Sequence, residues 1–358
     1  MRILHCPSDV GGNAWTLSRA ERKLGLDSDV MVFHESWLAY PADIDLQLTT
    51  EHPGRSALRL LAFFIKALTR YDVFHFNFGS SFLPYGPLPG FLELSDLPIL
   101  RALGKKIVVT YQGCDIRQKS FCTANFAVSA CTEPGCYGGI CNSRTDAARR
   151  RRADKFGRYA HKMFALNPDH LHVLPSEAEF LPYSNVDLTE WLPSPRNKKD
   201  RFVILHSPTD RVAKGTKDIL EAIEKLKRSY KDVELLLVEG LPHSRVRELY
   251  AQADLAVDQL LIGWYGGFAV EMMALGKPVV CYIREEDLRF IPGQMKDDLP
   301  IINADRSTVY DVLVELVEDR DKLSLIGERS RAYVERWHDP MKIAERMKEV
   351  YESLCARK

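Results

Sequence analysis

The sequence predicts an α/β protein made of two doubly wound domains that face each other across a cleft. Apolar strand-like runs alternate with helix-like segments along almost the whole chain, which indicates right-handed βαβ units and parallel sheets. The length of 358 residues suits two domains at the usual size of ~100–200 residues each. The stretch "WLPSPRNKKD", residues 191–200, places two prolines beside basic residues and predicts a linker between the domains.

The predicted N-terminal domain, residues 1–190, begins with the strand "RILHC", the helix "GGNAWTLSRAERKLG" and the strand "SDVMVF". A long helix, "RSALRLLAFFIKALTR", then precedes the strand "DVFHFNF", and a helix near Arg101 precedes the strand "KIVVT". Each strand is followed by a polar or glycine-containing loop, as expected where parallel strands end at a ligand-binding edge.

The predicted C-terminal domain, residues 201–336, repeats this alternation. Strand "RFVILHS" precedes the helix "TKDILEAIEKLKRSY", in which Ile219, Ala222, Ile223 and Leu226 recur at helical spacing. Strand "VELLLVE", helix "HSRVRELYAQA", strand "DLAVDQL", helix "FAVEMMALG" and strand "KPVVCYI" follow. Residues 337–358 are predicted as a final helix, for which a return to the first domain is one interpretation.

Composition and charge exclude several classes of protein. Lys+Arg and Asp+Glu balance at 49 each, so no overall charge draws the chain onto nucleic acid. The start of the chain lacks the pattern of a signal peptide, and no apolar run reaches the ~20 residues of a membrane-spanning helix. Without a secretory context, reduced cysteines are expected. These observations predict a cytoplasmic protein.

The loops at two predicted strand ends suggest an anion site. "HSPTDRVAKGTKDIL" carries Arg211 and Lys214 directly before a helix, and two cations at a strand's carboxyl end suit a diphosphate. Gly266 and Gly267 begin the helix "FAVEMMALG", whose free amides favour an anion. Glu271, one turn into that helix, is placed to accept two sugar hydroxyls. The alternatives are solvated surface charges for the cations and a helix-dipole partner for Glu271.

These motifs in combination resemble those of family 4 glycosyltransferases, the retaining group with two Rossmann-like domains in the GT-B fold. The resemblance covers nearly the whole chain. It rests on "R-x-x-K-G-T" from Arg211, on the later "GGFAVEMMALGKPVV", and on "ILHCPSDVGGN", which is similar to the family's first strand and glycine loop. "TYQGCDIR" resembles the "T-x-H-G-x-D" turn, and "LPYSNVDL" resembles the "P-N-G-V-D" segment.

The resemblance implies a role for each matching residue. Arg211 and Lys214 would hold the donor diphosphate, Glu271 the ribose, and the amides of Gly267 and Phe268 a phosphate. The other implied donor contacts are Gly11 and Gly12 near the phosphate, Glu239 and Gly240 near the nucleotide base, and Gly266 at the helix start. Such enzymes generally need no divalent metal, which suits the lack of a convincing D-x-D motif.

Two positions depart from the family pattern. A second Glu that contacts the donor sugar is replaced by Gly263, and the histidine of the "H-G-x-D" turn is replaced by Gln112. An amide forms hydrogen bonds but does not titrate near neutrality. The departing diphosphate can itself accept the proton in a retaining reaction, so no protein base is required. The catalytic set is Arg211, Lys214 and Gln112, whose amide can form hydrogen bonds with sugar hydroxyls or a carbonyl. Asp258, Gln259 and Tyr265 are candidates to replace the lost Glu contact.

Five cysteines fall in a Pro/Gly-containing segment, residues 114–141, interpreted as an insertion in the N-terminal domain. They are Cys114, Cys122, Cys131, Cys136 and Cys141. Four thiolates of this set suit a structural Zn²⁺. The alternatives are reduced thiols packed as small apolar groups, or an oxidisable pair.

The helix "RSALRLLAFFIKALTR" predicts either a membrane contact or an ordinary sheet-covering helix. Its four cations, Arg55, Arg59, Lys66 and Arg70, share one helical face. Such a basic amphipathic helix suits anionic lipid and hence a lipid-linked acceptor at the inner face of the membrane. A solvated stripe on a helix that covers a sheet is the plainer interpretation.

The leading hypothesis is a retaining, metal-independent transferase that moves a sugar from a nucleotide-diphosphate sugar to a glycan or lipid-linked cell-surface precursor. A non-catalytic GT-B protein that binds sugar nucleotides or a partner is the alternative, motivated by Gly263 and Gln112. A GT-B nucleotide-sugar epimerase is a further rival that the "K-G-T" and "P-V-V" pattern fits poorly. The base, sugar and acceptor are not identified by the sequence.

Overall fold

A computed structural model describes residues 1–36, 38–49, 51–83, 93–194 and 201–356. The chain forms two compact units. Unit 1 comprises Met1–Arg117, Ala147–Asn185 and Pro340–Lys358, and unit 2 comprises Gln118–Asp146 and Val186–Asp339.

Unit 1 is built on a seven-stranded sheet in which all the paired strands are parallel. Its strands are β1 (Arg2–Cys6), β2 (Asp27–Val32), β3 (Ile44–Asp45), β4 (Val73–Asn77), β5 (Lys106–Tyr111), β6 (Lys162–Ala165) and β7 (Glu179–Phe180). Its helices are α1 (Asn13–Lys23), α2 (Pro53–Arg70), α3 (Asp96–Ala102), most of α5 (Ser143–Tyr159) and α13 (Pro340–Ala356). The strand order is β3-β2-β1-β4-β5-β6-β7, which contains the 3-2-1-4-5 order of a dinucleotide-binding Rossmann sheet.

The central strands of unit 1 are buried on both faces, as parallel strands covered by helices must be. All five residues of β4, "VFHFN", are buried, and Phe74 and Phe76 pack edge-on against Phe82. Burial therefore continues along the whole strand, and its valine and two phenylalanines are why the sequence predicted the strand correctly.

Helix α13 joins unit 1 through a buried polar network as well as by apolar packing on α1. The Tyr351 hydroxyl contacts His75 Nδ1 at 2.7 Å and donates to Glu21 at 3.1 Å. Glu21 also contacts His5 at 2.9 Å and accepts from Ser28 at 2.6 Å. Because all of these groups are buried, each needs its partners, and α13 supplies one of them.

Unit 2 is built on a five-stranded parallel sheet. Its strands are β8 (Phe202–His206), β9 (Val233–Leu237), β10 (Leu255–Val257), β11 (Val279–Cys281) and β12 (Ile302–Asn303). Its helices are α4 (Lys119–Asn125), α6 (Arg211–Lys214), α7 (Thr216–Ser229), α8 (Arg247–Tyr250), α9 (Gly267–Ala274), α10 (Gly293–Asp298), α11 (Val309–Glu318) and α12 (Lys322–Trp337).

The strand order of unit 2 is β9-β8-β10-β11-β12, the 2-1-3-4-5 order of flavodoxin-like sheets. β9 lies on one side of β8, and β10 and the later strands lie on the other side, so the order of the strands reverses between β8 and β10. Ligands of doubly wound sheets bind outside the carboxyl ends of the strands at such a switch point. The topology therefore predicts a ligand site at the loops after β8 and β10.

The predicted α/β class with two doubly wound, Rossmann-like domains is confirmed. The short strands β3, β6, β7 and β12 were not predicted, because segments of two to four residues carry almost no periodicity. Residues 195–200 of the predicted linker lie outside the described residues. Within the described part of the chain, none of the helices combines the length and apolar character needed to cross a membrane.

The cysteine-containing segment departs from the expected domain division. Residues Gln118–Asp146 belong to unit 2, although the sequence placed them in the N-terminal domain. Ala130 donates its backbone N–H to Leu261 O at 3.0 Å, and Ala130 and Cys136 lie in the apolar core of unit 2. The segment thus completes a core that the sheet of unit 2 leaves uncovered. The periodicity of apolar residues along the chain does not indicate which of the two units this segment joins.

Candidate functional site

The switch point of unit 2 holds an ion pair between the loops after β8 and β10. The Lys214 ammonium lies 2.6 Å from Asp258 Oδ1, and the two side chains are 12% and 0% exposed. Burial alone lowers the pKa of Lys214, but the Asp258 carboxylate outweighs burial and the net pKa is raised. Lys214 is therefore a fixed cation, and an ammonium with three donors has protons left for a second anion.

The same carboxylate orders the start of α9. Asp258 Oδ2 accepts from the Gly266 backbone N–H at 2.7 Å, and an added Cβ on Gly266 would lie 3.4 Å from Lys214 Nζ. Glycine therefore lets the helix start approach the ammonium closely. Gly267 is the first residue of α9, and the Phe268 ring packs edge-on against Tyr250 at 5.1 Å between centroids. A cation and a helix N-terminus converge here, which is an arrangement that favours anions.

Arg211 is brought together with Glu239. The guanidinium donates two parallel hydrogen bonds, at 2.8 and 2.5 Å, to the two carboxylate oxygens. Arg211 is 56% exposed, and its hydrogen bonds lower the pKa of Glu239. Gly240 follows with φ 66° and turns the chain away. All three residues were predicted from the sequence as donor contacts, but the pairing of Arg211 with Glu239 was not.

Glu271 forms a hydrogen bond with a histidine that sequence reasoning missed. His243 Nε2 lies 2.7 Å from Glu271 Oε1, with side-chain exposures of 22% and 5%. The His243 ring packs 5.8 Å from that of Trp191. His243 follows β9, and β9 neighbours β8 in the sheet. Its place after a predicted strand was the one feature of the sequence that could have suggested a role at the site. No local motif marks it.

Gln259 and Tyr265, the suggested replacements for the lost Glu, have structural partners. The Gln259 amide donates to Trp264 O and Tyr282 O at 3.0 and 2.9 Å, and its oxygen accepts from Leu261 N at 2.8 Å. Tyr265 is fully buried, and its hydroxyl lies 2.9 Å from both Tyr333 and His338. Of the three candidates, Asp258 alone contacts the Lys214 site through a hydrogen bond described above.

A side chain at Gly263, where the family pattern has the second Glu, would require Arg284 to move. Its φ is +92°, and an added Cβ would lie 2.6 Å from Arg284 Nη1. Arg284 is buried, donates to Asp287 at 2.8 Å and to Val128 O at 3.0 Å, and stacks on Phe126 at 3.6 Å. The insertion therefore fixes a guanidinium against the loop in which a carboxylate was expected.

The remaining residues predicted for donor binding and catalysis, Gly11, Gly12 and Gln112, lie in unit 1. Gly11 and Gly12 adopt φ values of 67° and 72° ahead of α1. Asp9 accepts from the backbone N–H groups of Ala14 and Trp15 at 3.0 and 3.3 Å. The chain's own carboxylate thus satisfies amides at the start of α1, which lowers the capacity of this helix for an external anion.

Gln112 is buried at the end of β5. Its amide donates to Asn77 Oδ1 at 3.1 Å, and its backbone carbonyl accepts from Asn167 at 2.8 Å. Among the described residues, Gln112 Oε1 has no hydrogen-bond partner. Nearby Asp115 accepts from Gly113 N at 2.7 Å, and burial raises its pKa to about 6.

The five cysteines of the predicted zinc site divide between the two units. Cys114 belongs to unit 1, and Cys122, Cys131, Cys136 and Cys141 belong to unit 2. Within the described ranges, no group of three or more His, Cys, Asp or Glu side chains is arranged to hold a metal ion. The zinc hypothesis gains no support from this arrangement and stays a prediction.

Solved structures with this fold include nucleotide-sugar-binding proteins. Sucrose-phosphate synthase from Thermosynechococcus elongatus matches with a TM-score of 0.65 at 15% identity, covering 100% of both chains. HepE from Anabaena, in complex with UDP-glucose, matches with a TM-score of 0.65 at 15% identity, covering 99% of this chain and 100% of its own. MnaA from S. aureus, in a structure with UDP, matches with a TM-score of 0.57 at 14% identity, covering 100% and 99%.

These comparisons establish the GT-B fold for the whole chain. No protein-family model and no curated protein matches the sequence. The roles of individual residues are therefore inferred from the geometry of the site.

Proposed function

We propose that the protein is a glycosyltransferase that uses a nucleotide-diphosphate sugar, with a UDP-sugar as the favoured donor. The observation that carries the proposal is the Lys214–Asp258 pair beside the start of α9, at the switch point of unit 2. A diphosphate is the ligand that best suits a buried cation next to a helix N-terminus. The structures of HepE with UDP-glucose and MnaA with UDP support a uridine nucleotide.

In the proposed reaction, the bond between the donor's anomeric carbon and its diphosphate oxygen breaks, and an acceptor oxygen bonds to that carbon with retained configuration. The acceptor hydroxyl proton passes to the departing diphosphate. Lys214 and the amides of Gly267 and Phe268 offset the charge that develops on the leaving group. Arg211 provides a second cation. Its guanidinium would have to donate to both Glu239 and the phosphate. Glu271 accepts the ribose hydroxyls, and no divalent metal is required.

The acceptor is proposed to be a glycan or lipid-linked precursor of the cell surface, bound by a protein that works in the cytoplasm. Gln112, buried beside Asn77, is retained as a catalytic-set residue that can donate a hydrogen bond to a sugar hydroxyl or carbonyl.

A non-catalytic nucleotide-sugar-binding protein is the second candidate, and one observation favours it. Arg284 occupies the space beside Gly263 in which the family pattern places a carboxylate for the donor sugar. A radiolabelled-donor assay separates the two, because an enzyme hydrolyses or transfers the sugar slowly even without its true acceptor, and chelator does not alter the rate. A chain that binds the donor but never releases the labelled sugar supports the second candidate.

The test of the donor site removes the ion pair as a unit. Lys214→Ala alone leaves Asp258 buried without its cation, which destabilises the fold. The double variant Lys214→Met/Asp258→Asn avoids that cost. We expect titration calorimetry to show weaker UDP binding by roughly 10- to 100-fold, the effect of ~1.5–3 kcal/mol for a charge-assisted contact. Arg211→Ala weakens binding less, since Arg211 is more exposed.

The matched control is Lys217→Ala, on the exposed side of the next helix, which should bind UDP as wild type does. If the double variant folds and binds UDP with wild-type affinity, the site is assigned incorrectly. GDP, ADP and TDP in the same titration identify the preferred base.

A further inference from the structure

Helix α2 exposes a ridge of large aliphatic side chains. Leu58, Leu61 and Ile65 are 70%, 55% and 57% exposed. Their spacing of i, i+3 and i+7 places them on one face of the helix. The opposite face already covers the sheet of unit 1, where Leu60 and Phe64 are buried and Phe64 packs 5.3 Å from Phe82. Packing against the described residues of unit 1 therefore does not account for the ridge.

A row of cations runs along one flank of this ridge. Arg55, Arg59 and Lys66 lie on the adjacent exposed face, and Arg70 continues the row while pairing with Asp29 at 2.9 Å. The 18 residues of α2 contain no Asp or Glu. The exposed half of the helix thus combines an uninterrupted positive charge with an aliphatic ridge.

We propose that this face of α2 docks unit 1 on an anionic lipid bilayer, with the helix axis in the plane of the membrane. Aliphatic side chains on such helices enter roughly 5–10 Å into the boundary between headgroups and acyl chains, while flanking cations contact the headgroups. An anionic bilayer offers both an apolar layer and negative charge, and it matches both halves of the surface. Nucleic acid would use the cations and leave the ridge in water.

This inference is independent of the proposed transferase activity, because it rests only on residues of α2. It goes beyond that activity by giving the protein a location at which a lipid-linked acceptor is available. A chain that binds vesicles but not UDP would refute the proposed function alone, and the converse result would refute the docking surface alone.

Co-sedimentation with vesicles of phosphatidylcholine, with and without phosphatidylglycerol, tests the proposal. We expect binding to the anionic vesicles that weakens as salt is raised. The ridge variant, Leu58→Gln/Leu61→Gln/Ile65→Gln, should lose most of this binding while its melting temperature stays near that of wild type. The cation variant, Arg55→Gln/Arg59→Gln/Lys66→Gln, should lose binding by about 100-fold, at roughly fivefold per cation near an anionic surface.

The matched control replaces three exposed leucines elsewhere, Leu103→Gln/Leu192→Gln/Leu325→Gln, which are 55%, 60% and 60% exposed. This control should bind vesicles as wild type does. The proposal is overturned if wild type does not bind anionic vesicles, or if the ridge variant and the control bind equally. It is also overturned if sedimentation velocity finds a dimer that only the ridge variant dissociates, since the ridge then contacts a second copy of the chain.

Discussion

Glu271 is a buried carboxylate that needs a partner, and His243 supplies it from a loop 28 positions earlier in the chain. Glu271 is the fifth residue of α9, so the helix dipole contributes little, since that effect is confined to the first turn. His243 retains partial exposure in the segment after β9, and Glu271 lies in α9, the helix after β10. A carboxylate held in one orientation by an imidazole is well prepared to accept a pair of hydroxyl groups.

Glu271→Gln separates a ligand-binding role from a structural one. The change keeps the size of the side chain and one hydrogen bond to His243 but removes the charge. We expect UDP affinity to fall by about tenfold or more, the effect of one charge-assisted contact, with a melting temperature within a few degrees of wild type. Glu248→Gln, an exposed position on α8, is the matched control and should change neither quantity. A much lower melting temperature with normal affinity would make Glu271 a structural residue.

At the scale of elements, α9 and α12 cross at a contact between two glycines. A Cβ on Gly327, inside α12, would lie 2.2 Å from the carbonyl oxygen of Gly276. Gly276 itself ends α9 with φ 71°. The backbone of α12 therefore sits directly on the end of the helix that carries Glu271, and the position of α9 depends on this contact.

Gly327→Ala should force α9 and α12 apart. We expect a loss of ~1–3 kcal/mol in the free energy of unfolding, the usual cost of overpacking. UDP affinity should fall as well, because the start of α9 shifts relative to Lys214. Gly293→Ala, at the first residue of α10 with nothing within 4 Å of an added Cβ, is the control. Denaturant unfolding measures both variants, and equal stabilities would show that the helix crossing adapts.

Local patterns predicted those parts of the site that lie within one loop. Arg211, Lys214 and Glu271 were selected as candidates because each follows a strongly apolar strand or a glycine-flanked helix start, and their roles stay predictions. The partners His243 and Arg284 were not found, because each reaches its contact from another loop and no periodic signal connects them. The placement of the cysteine-containing segment in unit 2 escaped prediction for the same reason. By composition, the apolar residues of this segment could pack in either unit. Their place in the core of unit 2 is visible only in the structure.

Across the whole molecule, buried histidines and buried carboxylates give stability opposite pH dependences. Burial lowers the pKa of His206, in unit 2, to about 4 from an ordinary 6.5. Between these pH values the unfolded chain binds a proton that the folded chain does not, so stability falls as the pH falls. Burial raises the pKa of Asp115, in unit 1, to about 6 from 3.8. In that window the folded chain holds the extra proton, and stability rises as the pH falls.

Two variants should therefore change the pH dependence in opposite directions. His206→Asn should flatten the loss of stability between about pH 6.5 and 4, by up to ~3 kcal/mol across the window at 1.36 kcal/mol per pKa unit. Asp115→Asn should steepen it, because the opposing contribution is removed. Urea unfolding midpoints at several pH values measure both. Parallel pH profiles for wild type and the two variants would contradict this assignment.

The division of unit 1 among three stretches of chain has a consequence for biosynthesis. A ribosome releases β1–β5 of unit 1, then Gln118–Asp146 of unit 2, then β6 and β7, then the rest of unit 2, and only afterwards Pro340–Lys358 with α13. Until α13 emerges, Glu21 and His75 lack the Tyr351 hydroxyl, and the face of α1 that α13 covers stays in water. Unit 2, whose last residue is Asp339, can close earlier. Unit 1 therefore begins first and is completed last, because its final helix is translated after the whole of unit 2.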